Sequence, residues 1–238
     1  MKQLIVIYLL SLLSVVGFAQ KSNYSNDEIF DFFEQVKLKT ERYILLWDKD
    51  LYAPILLVDP ITREAFANQQ DEEGELKLQD KIYVGKLPRS VPVSNTDITW
   101  NGTHWAMLML PLPSNILDKL DLTTHELFHR AQPSLSFKIR REENNHLDQK
   151  DGRFYLRLEL AALEAALKAT RLNKSEEHLR NALIFRKYRH ILYRGSQVTE
   201  NSLEMLEGIA TYTGQIMSGR DKWQWREYLI IRIEQFEE

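Results

Sequence analysis

The chain has 238 residues, 44% of them hydrophobic and 27% charged, with a formal net charge of −3. That apolar fraction excludes a disordered chain, and a charge so near zero argues against a nucleic-acid partner. Cysteine is absent, which removes disulfides, thiolate metal sites and cysteine nucleophiles.

In chain order, the first element reads as a leader. Met1-Lys2-Gln3 is a short basic start, and Leu4 to Val16 is apolar apart from Ser11 and Ser14. Gly17-Phe18-Ala19 then offers small residues at a cleavage site. This is the layout of a secretory signal peptide over 1–19. The apolar run is shorter than the roughly 17 residues that a membrane span requires. The expectation is a secreted or periplasmic bacterial protein of residues 20–238, with no stable membrane insertion after cleavage.

Residues Asn26 to Trp47 carry Ile29, Phe32, Phe33, Val36 and Tyr43 at helical spacing, with Asn26 or Asp27 as cap. From Tyr52 to Leu110 the pattern changes to strands. Ile55 to Val58, Arg63 to Ala67, Ile82 to Val84, Ile98 to Trp100 and His104 to Leu110 are expected, the last two joined by an Asn101-Gly102 turn. After Pro113 everything reads as helix: Ile116 to Arg130, Gly152 to Leu172, Ser175 to Leu192, Ser202 to Ser218 and Lys222 to Phe236. The fold class is therefore α+β, with a small, mainly antiparallel sheet followed by a helical block. One domain is expected, with a helix-and-sheet lobe over 20–113 and a helical lobe over 114–238.

The chemistry resides in His125-Glu126-Leu127-Phe128-His129. Residues four apart on a helix lie one above the other, so His125 and His129 can offer two imidazole nitrogens to one ion. Glu126 is rotated about 100° from His125 and can reach a water on that ion as general base. A catalytic site needs a third protein ligand and an open fourth position. The residues after His129 do not supply one, and the best candidate is Glu207, followed by Gly208 in mid-helix. Glu204, His146, Glu159 and His190 are the alternatives. A helical glycine costs about 1 kcal/mol relative to alanine, and a close approach to the HExxH helix would account for it. Nitrogen and oxygen donors around an open tetrahedral position favour one zinc ion.

HExxH followed downstream by a helical Glu-Gly-x-Ala resembles the gluzincin zinc metallopeptidases, the group of thermolysin-like enzymes and M1-type aminopeptidases. The resemblance implies a zincin-like fold, His125, His129 and Glu207 as zinc ligands, Glu126 as general base, and hydrolysis of a peptide or protein substrate. It also implies that a strand beside the active-site helix, here His104, Trp105, Ala106, Met107 and Leu108, pairs with the substrate backbone. The chain departs from the thermolysin-like pattern in having Thr211 where an Asp would orient a histidine. For oxyanion or substrate contacts, Tyr212, Tyr188 and His190 are available, with Tyr193 beside them.

The same residues admit a catalytically inactive metal-binding or interaction protein, or a metal-dependent amidase acting on a non-peptide substrate. Arg153, Arg157, Glu159, Arg186 and Arg189 suggest ion pairs behind the metal site, with a solvated helix face favoured over them. His146-Leu147-Asp148 is expected at the surface. Trp100, Trp105, Trp223 and Trp225 are expected in core or lobe contacts.

Overall fold

The computed structural model describes residues 24–136 and 143–237; the expected leader over 1–19 lies outside them. Helix α1 (Asn26–Arg42) begins at Ser25, whose hydroxyl accepts from the Glu28 N–H while the Glu28 carboxylate accepts from the Ser25 N–H. This capping box places the cap one residue earlier than expected. The helix buries Ile29, Phe32, Phe33 and Val36, as the spacing requires, and a short 3-10 turn over Ile44–Leu46 replaces its expected last turn.

Six strands follow: β1 (Ile55–Val58), β2 (Glu64–Ala67), β3 (Lys77–Gln79), β4 (Ile82–Lys86), β5 (Thr96–Trp100) and β6 (Thr103–Met109). Their order in the sheet is β3-β4-β2-β1-β6-β5; β1 and β6 run parallel and every other pair is antiparallel. Asn101 and Gly102 both have positive φ, 47° and 75°, the backbone of a tight hairpin turn matched to strand twist.

Side chains alternate across the sheet. Ile55, Leu57, Ala106 and Leu108 face α1 and helix α2 (Ile116–Ala131), packing with Phe33, Leu120 and Leu127. Leu56, Val58, Trp105 and Met107 face the other way, where Leu76 and Leu87 from loops and Trp100 close the layer. Trp100 and Trp105 are thus core residues as expected. Trp223, at 67% exposure, is not.

The helical block continues through α3 (Lys150–Lys168), α4 (Leu172–Leu192), α5 (Ser196–Leu203), α6 (Ile209–Ser218) and α7 (Lys222–Glu237). A π-helical turn over Glu204–Gly208 joins α5 to α6, so the expected single helix begins six residues early and is interrupted in the middle. Phe128 and Ala131 of α2 pack on Ala210 and Met217 of α6, with Leu51 beneath them. That interface sets the two metal-ligand candidates of α2 against the turn carrying Glu207. Among the described residues no helix is long and apolar enough to cross a membrane.

Candidate metal centre

Helix α2 starts at Asn115, whose side chain accepts from the Leu117 N–H. It is clamped between the sheet and α6, with Leu120, Leu127 and Phe128 buried. Its remaining face presents His125 and His129, whose Nε2 atoms lie 2.9 Å apart. Oε2 of Glu207 lies 3.2 Å from His129 Nε2 and 3.6 Å from His125 Nε2. Tetrahedral ligands about 2.0–2.1 Å from one ion lie about 3.3 Å from one another. The three observed separations bracket that value, so the donor set fits a small dication. It is the group of this kind found among the described residues.

The protonation states suit the same role. Burial and the neighbouring His129 push His125 down to about 4, so its imidazole is neutral with a lone pair to give. Burial, reinforced by Glu207 and Asp97, pushes Glu126 up to about 7. A carboxyl poised near neutrality beside a metal-ligand group is placed to accept and return a proton.

His129 is held by a residue that sequence reasoning missed. Its Nδ1–H donates to Oε1 of Gln132 at 3.3 Å, which leaves Nε2 as the lone-pair nitrogen. The Gln132 amide nitrogen donates to the carbonyls of Met205 and Leu206 at 2.7 and 3.2 Å. Those carbonyls belong to the π turn, where the Ile209 N–H reaches back five residues to Glu204. The wider turn leaves carbonyls for a side-chain donor to satisfy, and buried Gln132 supplies it. One amide therefore orients a histidine and ties it to the segment carrying Glu207. This supplies the orientation that Thr211 does not.

Gly208 does not mark the close approach expected of it. A Cβ there would meet Glu204 Cβ at 3.6 Å, an ordinary contact. The tight approach is at Gly214, where a Cβ would fall 2.4 Å from Asp121 Oδ1 and 2.6 Å from the Asp121 carbonyl. Any side chain at Gly214 would push α6 off α2.

Strand β6 is hydrogen-bonded on both sides, to β1 and to β5, so His104 to Leu108 cannot pair with a substrate as expected. Among the described residues the free edge on the α2 side is β5, whose Asp97 holds His104 Nε2 at 2.9 Å. The Arg130 Nε–H donates to the His104 carbonyl and fastens α2 to this edge.

The proposed oxyanion contacts are engaged in other contacts. Tyr188 lies against Tyr155, Tyr212 lies against Trp225, and Tyr193 lies against His146. His190 Nε2 is 2.8 Å from Glu200.

Glu200 is the hub of a buried cluster. His146 Nε2 at 2.6 Å, and Arg189 through Nε and Nη2 at 2.7 Å each, join His190 on its two oxygens. Arg189 continues to Glu159 at 2.8 Å, Arg186 pairs with Glu159 at 2.7 Å, and Arg186 reaches Glu204 at 2.8 Å. The ladder thus ends on the first residue of the π turn. Glu159 and Arg189 are buried ion-pair members, against the solvated face favoured from sequence, while Arg153 and Arg157 are exposed. His146 is buried against Glu200, not at the surface. Gly152 admits its turn, since a Cβ there would fall 2.0 Å from the His146 carbonyl. Glu204, His146, Glu159 and His190 are therefore committed to this cluster and not to the metal group.

Burial pushes the Glu200 carboxyl up, but Arg189, His190 and His146 together hold it down at about 2. The unfolded chain takes up this proton near 4.5, so the stability is present above that pH and lost as pH falls toward 2. In urea titrations, the stability gap between the parent chain and Glu200→Gln is expected to shrink by about 3 kcal/mol over that interval. A gap constant with pH would show that Glu200 is not held as a buried anion.

A cleft of about 690 Å³ opens beside the metal group, lined by His125 and Glu126 on α2, Thr211 and Gln215 on α6, and Tyr228 and Arg232 on α7. A second concavity of about 710 Å³ lies between α3, α4 and α7 and includes none of His125, His129 and Glu207. The chain matches no family model, no curated protein and no solved structure.

Proposed function

We propose that this chain is a zinc-dependent peptidase of the gluzincin type. The observation that carries the reading is the convergence of His125 Nε2, His129 Nε2 and Glu207 Oε2 at 2.9 to 3.6 Å, with buried Glu126 next in sequence. Two imidazoles and one carboxylate leave room for a fourth, exchangeable position, the arrangement of hydrolytic zinc sites. A dication held there supplies Lewis acidity, acidifying a water and polarising a carbonyl.

The other tasks fall to the chain's own residues. Glu126 takes the proton from the attacking water and returns it to the leaving nitrogen. Gln132 keeps His129 in the tautomer whose Nε2 lone pair would be free to hold the ion. The edge strand β5 offers free backbone groups for an extended substrate. The leader-like sequence over 1–19 supports a reading in which this activity is exported, to the periplasm or medium of a bacterium.

The test combines metal content with turnover. Purified chain is expected to hold one zinc per molecule by atomic emission, and to cleave members of a mixed-sequence peptide library. Glu126→Gln is expected to keep the zinc and lose about 10²- to 10⁴-fold in kcat/KM. Absence of stoichiometric metal, or turnover indifferent to Glu126→Gln, would overturn the proposal. Zinc retained without any turnover would favour the non-catalytic alternative.

A further inference from the structure

The cleft that shares His125 and Glu126 with the metal group has a charge pattern of its own. Its acidic wall is already neutralised. Arg220, nearly buried, pairs with Asp121 at 2.9 Å and with Asp118, and its guanidinium lies 4.1 Å from the Tyr228 ring centre. The Gln215 carbonyl oxygen accepts from the Trp225 indole.

Arg232 is different. It lies one turn after Tyr228 on the α7 wall of the same cleft, exposed, and makes no ion pair among the described residues. The nearby Glu234 is paired with Lys168 at 2.9 Å instead. Leu122 of α2 and Leu229 and Ile231 of α7 supply apolar lining of the cleft. An apolar channel with a metal group at one wall and a permanently charged, fork-shaped donor at the other is suited to an apolar residue ending in a carboxylate.

We propose that this cleft receives a substrate carboxylate on Arg232, so that the enzyme prefers peptides carrying a negative charge close to the scissile bond. The carboxylate belongs either to the free C-terminus of the peptide or to an acidic side chain. The inference rests on the peptidase reading for its biological meaning, but its test reads binding and not hydrolysis.

Two peptide pairs serve as probes on zinc-loaded Glu126→Gln chain: acetyl-Leu-Phe against its C-terminal amide, and acetyl-Leu-Glu-amide against acetyl-Leu-Gln-amide. Calorimetric Kd values are expected to favour the charged member of one pair by about tenfold. Preference in the first pair identifies a C-terminal carboxylate, and in the second an acidic side chain. Adding Arg232→Gln is expected to erase the preference, and Arg232→Lys to keep part of it. Because Arg232 is exposed and unpaired among the described residues, both variants are expected to melt with the parent. Equal or undetectable binding of the members in both pairs overturns the proposal. So does a preference that survives Arg232→Gln, which would put the carboxylate on the metal group instead. Failure of the peptidase reading would show as absent turnover in the wild-type chain and leave these Kd values readable.

Discussion

Replacing Arg189 with methionine is expected to lower the free energy of unfolding by about 3–5 kcal/mol. Arg189 is 1% exposed and bridges Glu159 and Glu200. Methionine fills much of its volume but leaves two carboxylates with a lost partner in a poorly solvated space. Among the described residues Glu200 retains His146 and His190, whereas Glu159 retains only Arg186 at the edge of the cluster. The damage should therefore fall mainly on the contact between α3 and α4. Urea unfolding at neutral pH measures it. A loss below about 1 kcal/mol would mean that the ladder behaves like exposed pairs. Replacing Glu159, Arg189 and Glu200 together with apolar residues is expected to cost less than Arg189→Met alone, because no buried carboxylate is then left without its arginine and Arg186 keeps Glu204.

The second large effect is on metal affinity. Gln132→Met is expected to weaken zinc binding about 10- to 100-fold in competition with a chromophoric chelator. Methionine has the length of glutamine but cannot accept from His129 or donate to the π turn. Gln132→Glu separates the two jobs. Its carboxylate still accepts from His129, but it faces the Met205 and Leu206 carbonyls with no donor. Gln132→Glu is thus expected to lose more thermal stability than Gln132→Met, and less zinc affinity for a given loss of stability. Equal zinc affinity in all three proteins would show that His129 needs no such support.

The contrast between these residues shows where sequence reasoning stops. His125, Glu126 and His129 are legible because a helix converts spacing into facing, and Glu207 because a carboxylate followed by glycine in a helical stretch is unusual. Gln132 is not legible. Its value depends on carbonyls more than 70 positions away that become free only because a turn is wider than an α-helix. Gly208 and Gly214 look alike in sequence, and only the packing of α6 on α2 shows that the second is the close contact.

The α+β class and most strands follow from alternation and from the Asn101-Gly102 turn. Strand β3 carries no such pattern, since Lys77, Leu78 and Gln79 are all exposed at a sheet edge. The choice of β6 as the substrate strand failed for a topological reason. The apolar strand beside the HExxH helix is interior, and the edge falls to its more polar hairpin partner. His146 was misread because its loop is polar, while the partner that buries it lies on α5.

The π turn over Glu204–Gly208 has one further consequence, for phase. Residues Ser196, Glu200 and Glu204 recur every four positions along one side, with Glu200 and Glu204 meeting Arg189 and Arg186 of α4. Ala210, Gly214 and Met217 lie along another side and meet α2. The extra residue in the turn advances the second set by about 100° relative to an uninterrupted helix. One stretch of chain can thereby satisfy two neighbours whose demands a straight helix would place out of step. The turn works as a phase adjuster between the ion ladder and the hydrophobic contact, and Glu207 stands at the point of adjustment. A one-residue deletion within 204–208 would restore regular winding and aim either the ladder or the packing face away from its partner. The placement of Glu207 beside the two histidines and the architecture of the helical block are, in this sense, a single constraint on chain length.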